Sequence, residues 1–341
     1  MPDGRYTREE ILSQPESWAA GLRRLKAQRQ ELLSFWRRER YTQVFLTGCG
    51  STYYLALAAA PLAQEMWRLP CRAFPASELW LHPSACYAHG RTLLIALSRS
   101  GETTETLRAC QDFLAAARGD LLVLTCDPDS SLAALGTLVL AFPEAQERSV
   151  VQTRSFSTLY LATLGLSALW AAQEPLLEAM EALPVLCRDL LPGYASLATQ
   201  IARGGGAERF FWLGSGPRYG LACELSLKMK EMALSPSEAF HFLEFRHGPK
   251  SVVAPGVLVV GLCSSAHASY EQAVLQEVKA LGGSALALGE DVRIGPAPGV
   301  PEAVRSVLYL PLGQLLALEH ALFKGLDPDA PSHLEPVVRL R

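Results

Sequence analysis

The chain has 341 residues, of which 49% are hydrophobic and 19% are charged, and its formal net charge is -3. At about 100–200 residues per domain, this length predicts two globular domains, and the apolar content excludes a disordered chain. The slightly acidic balance, with no basic stripe interleaved with aromatic residues, argues against nucleic acid as a partner.

The amino-terminal residues MPDGRYTREE are polar and charged, which is the pattern of neither a secretory signal nor a membrane anchor. Residues 7–39 are then typical of a helical arm. The eight cysteines contain no C-x-x-C pair, and several lie inside apolar runs. This distribution favours reduced thiols and argues against a zinc site or a disulfide framework. We therefore expect a cytoplasmic protein with no metal site.

Two strand–turn–helix patterns follow the arm. QVFLTGCGSTYYLALA (43–58) is an apolar strand, a Gly-x-Gly turn and a helical run, and TLLIAL (92–97) leads directly into SRSGET (98–103) and a second helix. The start of a helix offers free N–H groups and a positive dipole end, which suit a phosphate or a carboxylate. The turn hydroxyls would complete such a cradle: Thr52, Ser98, Ser100 and Thr103. Helix capping by Ser100 or Thr103 is the alternative interpretation.

A dinucleotide site is the competing interpretation of TGCGST. Gly50 is followed by STYYLA and not by a third glycine two residues on, and a lone Gly-x-Gly is weak evidence. We therefore expect no cofactor.

The segment SFSTLYLATLGLSALWAA (155–172) carries no charge over about the length of a membrane span. It is rich in small and hydroxyl residues, stands alone and lacks a strongly basic flank. We interpret it as a buried helix and expect no membrane partner.

The strand–turn–helix pattern recurs at RFFWLGSGPRYGLACE (209–224), where the glycine turn lies 166 residues after the first. The same offset takes Ser98 to Ser264. The predicted strand at 121–127 is echoed at 285–291, and that at 138–144 at 307–313, where a proline closes each strand. These echoes predict a duplicated domain.

Each half alternates short apolar strands with helical segments, a pattern typical of a parallel sheet with helices on both faces. We expect an α/β fold of two tandem domains, comprising residues 1–178 with the helical arm and residues 179–341 with linker helices and the carboxyl-terminal tail. Ligands of such folds bind outside the carboxyl ends of the strands, so TGCGST and LSRSGET should lie side by side.

The helix predicted at YGLACELSLKMKEMAL (219–234) places charge next to an apolar stripe. At about 100° per residue, the side chains of Glu224, Lys228 and Glu231 lie between apolar residues. An exposed ladder of salt bridges would be worth only about 0.2–0.5 kcal/mol per pair. We favour a polar cleft wall in which Glu231 is a general base and Lys228 its electrostatic partner.

His247 lies in EFRHGPKS (244–251), directly before a Gly-Pro pair that stops helices. It is therefore expected in a turn. The charged neighbours make a functional site plausible, and a solvent-exposed charged loop remains the alternative.

Taken together, six segments resemble proteins with two sugar-isomerase (SIS) domains: LTGCGSTYY, SRSGETTETL, ERSVVQTRSFST, CELSLKMKEM, EFRHGPKSVV and LEHALFKGLDPDAPSHLEPVVRL. They are similar to the isomerase half of glutamine-dependent glucosamine-6-phosphate synthase, and to the tagatose-6-phosphate ketose/aldose isomerase and amino-sugar-6-phosphate deaminase group. The resemblance covers almost the whole chain and implies two SIS domains, each with a flavodoxin-like parallel sheet.

The resemblance also implies roles for individual residues. Glu231 matches the base that moves a proton between C1 and C2, Lys228 matches its lysine neighbour, and His247 matches a ring-opening histidine supplied by the other subunit of a dimer. Arg99 stands where the synthase has glutamine. The positions implied to bind the phosphate and the sugar are Gly50, Ser51, Thr52, Ser98, Arg99, Ser100, Thr103, Val150 and Gln152.

Two departures separate the chain from the synthase. It begins just before the isomerase portion, so we expect no glutaminase domain, and Pro336 replaces the carboxyl-terminal catalytic lysine. Lys250 is a candidate for a compensating ammonium group. The resemblance therefore favours a homodimeric isomerase or deaminase acting on a sugar 6-phosphate without a cofactor, with the active site near the dimer interface. A non-catalytic sugar-phosphate sensor is the alternative.

Overall fold

The computed structural model describes residues 3–204, 206–289 and 299–340, and every element below lies within those ranges. The first half begins with three helices and then alternates strands and helices: α1 (Arg5–Leu12), α2 (Gln14–Ala27), α3 (Arg29–Arg38), β1 (Gln43–Gly48), α4 (Ser51–Trp67), β2 (Cys71–Pro75), α5 (Ala76–Leu81), α6 (Pro83–Cys86), β3 (Thr92–Ser98), α7 (Thr104–Ala115), β4 (Gly119–Thr125), β5 (Leu138–Ala141), α8 (Arg154–Trp170) and α9 (Glu174–Met180).

The second half repeats the alternation after a long helix: α10 (Leu183–Arg203), β6 (Arg209–Gly214), α11 (Pro217–Ala233), β7 (Ser237–Phe240), β8 (Val257–Leu262), α12 (Ala268–Ala280), β9 (Ser284–Leu288), α13 (Glu302–Arg305) and α14 (Leu310–Phe323). All strand pairs are parallel, in the orders β2-β1-β3-β4-β5 and β7-β6-β8-β9. The predicted α/β class with parallel sheets is thus confirmed.

The chain divides into two compact units. The five-strand unit comprises Glu16–Glu147, Arg154–Glu181 and Glu335–Arg341, and the four-strand unit comprises Met1–Pro15, Arg148–Thr153 and Ala182–Leu334. Both the amino-terminal end and a six-residue segment thus belong with the second sheet, while the tail belongs with the first. The predicted domains, 1–178 and 179–341, stay a prediction.

In the five-strand unit, the strands are apolar on both faces. Phe45, Leu94 and Val123 pack in one buried cluster with residues of α5 and α7. Their neighbours Val44 and Leu93 are fully buried too, and α4 contacts β1 and β2. Because successive side chains of a strand point to opposite faces, both faces are covered. The strand order is the flavodoxin-like one, which places ligands outside the carboxyl ends of the strands.

The four-strand unit is built in the same way. Phe211 and Val259 of the sheet pack with Val274 and Val278 of α12. The helix α11 contacts β6 and β7, and it also contacts α14. This packing fixes α11, the helix that carries the predicted catalytic residues, against the central strand of its sheet.

The predicted strand at 307–313 is wrong. Residues Ser306–Tyr309 form a 3-10 turn, and Leu310 begins α14. Pro311 lies in the first turn of that helix, where a missing N–H costs nothing, and therefore helps to start a helix and does not end a strand. Nearly every residue of α14 is buried, so the sequence shows no helical period there. The echo at 285–291 coincides with β9 up to Leu288, and its last two residues lie outside the described ranges.

The uncharged segment 155–172 behaves as expected. It forms most of α8, and residues 155 to 170 are all buried. Among the described residues, one helical stretch is long and apolar enough to cross a membrane, the run Glu302–Phe323, and 89% of its most apolar window is buried inside the protein. A core helix passes the same test, so this stretch is weak evidence for a membrane span.

Candidate functional site

The two predicted turns lie at the same edge of the five-stranded sheet. The strands β1 and β3 are adjacent and parallel, so TGCGST and SRSGET both follow carboxyl ends at that edge. The Cys49 Sγ atom lies 3.5 Å from the Thr106 Oγ1 atom in the helix after the second turn. The sequence prediction that these turns lie side by side is confirmed.

Each turn depends on a glycine in the left-handed region. Gly50 has φ +56°, and the space that a Cβ would take there is open to 4 Å. Gly101 has φ +66°, and a Cβ there would lie 2.1 Å from the Ser130 Oγ atom. The first glycine therefore leaves room beside the backbone. The second allows the SRSGET turn (98–103), called the hydroxyl turn below, to pack against the loop after β4.

The serine oxygens of the hydroxyl turn accept bonds from the turn itself. The Gly101 N–H donates to Ser98 Oγ at 3.0 Å, and the Glu102 N–H donates to Ser100 Oγ at 3.2 Å. A hydroxyl can accept and donate at once, so neither of these two contacts uses the proton of the serine hydroxyl. Thr103 precedes α7 and makes no side-chain capping bond. Within the described chain, capping of α7 by Thr103 is therefore not observed.

Thr52 is held differently. Its Oγ1 accepts the Cys49 N–H and donates to the Cys49 carbonyl, each at 3.0 Å. Its only hydroxyl proton is thus used inside the glycine turn, and the side chain is 3% exposed. Thr52 fixes the turn, and any bond that it donates to a ligand requires the bond to Cys49 to break. Its neighbour Ser51 is buried as well.

The Arg99 guanidinium is buried and binds other groups of the chain. It donates to the Pro336 carbonyl at 3.0 Å and lies 3.7 Å from a Glu147 carboxylate oxygen, and its side chain is only 7% exposed. The tail continues along α7, where the Thr104 N–H donates to the Val338 carbonyl at 3.4 Å. The tail therefore binds one N–H at the start of α7, a contact between distant residues that no local sequence pattern predicts.

Val150 and Gln152 lie in the segment 148–153, which belongs to the four-strand unit. Both side chains are partly exposed. The same unit holds Lys228, Glu231 and His247. The structure thus assigns the predicted phosphate ligands to one compact unit and the predicted catalytic residues to the other.

The charged triplet of α11 forms ion pairs and is also buried. Lys228 Nζ lies 3.1 Å from Glu224 and 2.7 Å from Glu231, and both Lys228 and Glu224 are fully buried. The side chain of Glu231 keeps 19% of its surface exposed. The i,i+3 and i,i+4 ladder therefore exists, but it lies in the interior, where an ion pair is far more consequential than on an exposed helix.

The electrostatics of this group keep the lysine charged. Burial acts to lower the pKa of Lys228, but attraction to Glu224 and Glu231, with the hydrogen bonds that they accept, outweighs it and raises the pKa above its ordinary value. Lys228 is thus a fixed positive charge beside a carboxylate that is partly open. A carboxylate that is partly open to solvent is a candidate general base.

His247 lies in a turn, as expected, after a 3-10 turn at Glu244–Arg246. Its side chain is exposed. The flanking cations are anchored by Glu277 of α12, which pairs with Arg246 at 2.6 Å and with Lys250 at 2.9 Å. The Lys250 ammonium group is therefore held in an ion pair, which does not support its role as a replacement for the missing lysine.

The second glycine turn has the same backbone as the first. Gly216 has φ +57° and ψ -132°, against φ +56° and ψ -123° at Gly50. Arg218 takes the place of Thr52 and pairs with Glu302, whose other oxygen accepts the Ser265 N–H at 3.0 Å. The Ser264 N–H donates to the buried Glu271 at 2.5 Å. In the turn after β8, the N–H groups of Ser264 and Ser265 thus donate to carboxylates of the chain itself, whereas those of Gly101 and Glu102 donate to serine hydroxyls.

Among the described residues, no group of three or more histidine, cysteine, aspartate and glutamate side chains is arranged to hold a metal ion. A cavity of about 350 Å³ in the five-strand unit lies between its arm helices and α8–α9, and none of the predicted site residues lines it. The predicted site residues therefore lie away from this cavity.

This fold and these turns define the class of the five-strand unit. Residues 39–172 match the SIS domain family, so the chain contains a SIS domain over those residues. The chain is 30% identical to a glutamine–fructose-6-phosphate aminotransferase (isomerizing) from Pyrococcus horikoshii over 310 residues, which cover 86% of this chain and 51% of the relative. A second such relative, from Gloeobacter violaceus, is also 30% identical, over 86% of this chain and 51% of the relative. The chain thus spans about half the length of the curated relatives it matches.

Solved structures extend the similarity over most of the chain. The crystal structure of glucosamine-6-phosphate deaminase from Thermotoga maritima is 28% identical, with a TM-score of 0.75, over 94% of this chain and 100% of that one. The tagatose-6-phosphate ketose/aldose isomerase from Escherichia coli shares the fold, with a TM-score of 0.86 at 24% identity, over 98% of this chain and 99% of that one.

Proposed function

We propose that the protein is a phosphosugar enzyme that transfers a proton between C1 and C2 of a hexose or hexosamine 6-phosphate. The observation that carries this proposal is the pair of Lys228, fully buried, and Glu231, partly open. A buried charge is costly unless it is paired, and such arrangements concentrate at functional sites. Glu231 is the proposed base, and Lys228 holds a positive charge beside it.

The hydroxyl turn supports a phosphate as the recognised group. Ser98 and Ser100 accept bonds within the turn and keep their protons for a ligand. Thr103 lies at the start of α7, where the helix dipole favours an anion. Gly50 leaves open space beside the neighbouring turn. These residues, with Ser51, Thr52, Val150 and Gln152, are the proposed substrate contacts.

The proposed chemistry needs one base and no metal. In an open-chain aldose, Glu231 takes the proton from C2 and returns it to C1, so that the aldehyde becomes a ketone through an enediol. With an amine at C2, the same transfer leaves an imine at C2. Water adds to that carbon and ammonia leaves, which gives the ketose phosphate. His247 is the proposed group that opens the sugar ring before this step.

One observation favours isomerisation or deamination over amination. Pro336 stands in place of the catalytic lysine implied for the synthase, and its carbonyl is bound by Arg99. Arg99 is itself proposed as a substrate-binding residue that also holds the tail.

The proposal includes a cytoplasmic homodimer of chains with two SIS domains. The matching backbone at Gly50 and Gly216 supports a second domain of the same kind. His247 is exposed in the single chain, and two exposed apolar side chains, Leu243 and Val252, lie within five residues of it. Exposed apolar side chains beside His247 in the sequence support an interface there.

Turnover of purified full-length protein tests the proposal. The substrates are glucosamine 6-phosphate, galactosamine 6-phosphate and fructose 6-phosphate, with ammonia and aldose or ketose as the measured products and unphosphorylated glucosamine as the control. We expect turnover of at least one phosphorylated sugar and much weaker turnover of glucosamine. Binding of a sugar phosphate without turnover of any of them would indicate the sensor alternative instead.

A further inference from the structure

The segment 148–153 belongs to a different compact unit from the residues that precede and follow it in the sequence. Residues before Arg148 and after Thr153 belong to the five-strand unit, while the segment belongs to the four-strand unit. It forms neither a helix nor a strand, so no ladder of backbone bonds fixes it. Its position therefore depends on side chains that bind its backbone.

Glu10, at the end of α1, is one of these side chains. Its carboxylate accepts the Arg148 N–H at 2.5 Å and the Ser149 N–H at 3.2 Å, and it also accepts the Ser149 hydroxyl. Glu10 is 3% exposed. A buried carboxylate is stable only where donors surround it, and here three donors from two consecutive residues do so.

A second contact holds the other end of the segment. The Gln314 side chain of α14 donates to the Thr153 carbonyl at 3.2 Å, and its oxygen accepts from Gln14 at 3.0 Å. Gln14 also donates to the Ile11 carbonyl at 2.9 Å. Gln14 and Gln314 are both fully buried. Glu10 thus binds one end of the segment directly, and Gln14 supports the other end through Gln314.

Between these two fixed ends lie Val150 and Gln152, the proposed sugar contacts. The side chains of Glu10 and Gln14 cannot themselves reach solvent, because they are buried. Glu10 acts on the segment through two backbone N–H groups and the Ser149 hydroxyl, and Gln14 acts on it through Gln314. We propose that Glu10, assisted by Gln14, is a positioning residue that sets the 148–153 segment for sugar binding. This inference rests on the proposed function of Val150 and Gln152.

The test compares Glu10→Ala with Glu10→Gln and with the control Glu9→Ala, whose side chain is exposed one residue away. Hydrogen exchange of the unliganded full chain reports the amides of Arg148 and Ser149. In Glu10→Ala we expect these amides to lose protection and the KM for the sugar phosphate to rise about tenfold or more, as for a lost bond to a charged group, with little change in kcat. Glu10→Gln should show partial amide protection and a smaller rise in KM, and Glu9→Ala should match the wild type in both measurements.

The exchange and KM measurements distinguish a failure of this inference from a failure of the proposed function. If the amides of Arg148 and Ser149 keep their wild-type protection in Glu10→Ala, Glu10 does not hold the segment and the inference is overturned. Lost protection with an unchanged KM overturns the positioning role while leaving the proposed enzyme intact. If the wild type neither turns over nor binds any sugar phosphate, the proposed function fails and the positioning role fails with it. If Glu10→Ala does not fold, Glu10→Gln decides, because it keeps the volume and removes the charge: exchange and KM that both equal the wild-type values would overturn the role.

Discussion

At the scale of single residues, the hydroxyl groups of the two turns differ in whether they already donate a hydrogen bond within the protein. Thr52 donates its proton to Cys49, whereas Ser98 and Ser100 only accept in their turn contacts. A residue that already donates cannot donate to a ligand without losing a bond. The serines are therefore better placed than Thr52 to bind a phosphate.

Ser98→Ala and Ser100→Ala test this distinction. Each removes a hydroxyl that is proposed to donate to a charged group, so we expect the Kd for the sugar phosphate to rise about 10-fold to 100-fold. Calorimetric titration measures the change, with the exposed Ser84→Ala as a control. An unchanged Kd in both turn variants would show that the phosphate binds elsewhere.

Lys228 offers a second residue-scale prediction. Replacing it by methionine keeps most of its volume and leaves the buried Glu224 without its paired charge. We expect the free energy of unfolding to fall by about 3–5 kcal/mol, the cost of breaking a buried pair. Urea denaturation of Lys228→Met measures it, and Lys230→Met, on the exposed side of the same helix, should change stability little. Equal effects of the two substitutions would contradict the buried pair.

At the scale of elements, the glycine turns depend on backbone conformation. An alanine at Gly101 would have a strained φ and a Cβ 2.1 Å from Ser130 Oγ. Gly193 lies exposed inside α10, where a Cβ meets nothing within 4 Å. We expect Gly101→Ala to lower the free energy of unfolding by roughly 1–3 kcal/mol. Gly193→Ala should raise it by about 0.5–1 kcal/mol, since alanine is the better helix former. Thermal or urea denaturation distinguishes the two signs, and a stabilising Gly101→Ala would refute the described turn.

Elements with a clear local sequence pattern were predictable, and those without one were not. The strands β1, β3 and β8 are continuous apolar runs that end at glycine or hydroxyl turns, which is the pattern of buried parallel strands. The apolar residues of α14 cover all its sides, so 307–313 resembled a strand. The bond from Arg99 to Pro336 joins residues far apart in sequence, and no local pattern contains such a pair.

The roles of the candidate site residues stay a prediction, and the sequence and the fold contribute to that prediction in different ways. The residue types of the hydroxyl turn and the spacing of Glu224, Lys228 and Glu231 point to binding and catalysis without coordinates. Burial, which separates a structural ion pair from an exposed ladder, required the fold. Glu10 was missed because its partners, Arg148 and Ser149, lie in a distant segment whose backbone N–H groups leave no trace in the sequence.

At the scale of the whole molecule, the proposal requires two chains. His247 is exposed, and it is proposed to act in the active site of the neighbouring subunit. Glu231→Gln and His247→Ala should each abolish most turnover. Mixed by reversible dissociation, the two variants should regain about a quarter of wild-type activity, because half the dimers are mixed and each mixed dimer has one intact site. Light scattering confirms the dimer, and no recovery in mixed dimers would show that both residues come from one chain.

The central claim is that Glu231 moves the proton between C1 and C2. Turnover of the substrate in D₂O, followed by NMR, measures this directly, because a carboxylate that exchanges its proton with solvent places deuterium on C1 or C2 of the sugar. We expect deuterium on one of these carbons with the wild type and none with Glu231→Gln, although that variant still binds the sugar phosphate. Deuterium incorporation by Glu231→Gln at the wild-type rate would contradict the assignment of Glu231 as the base.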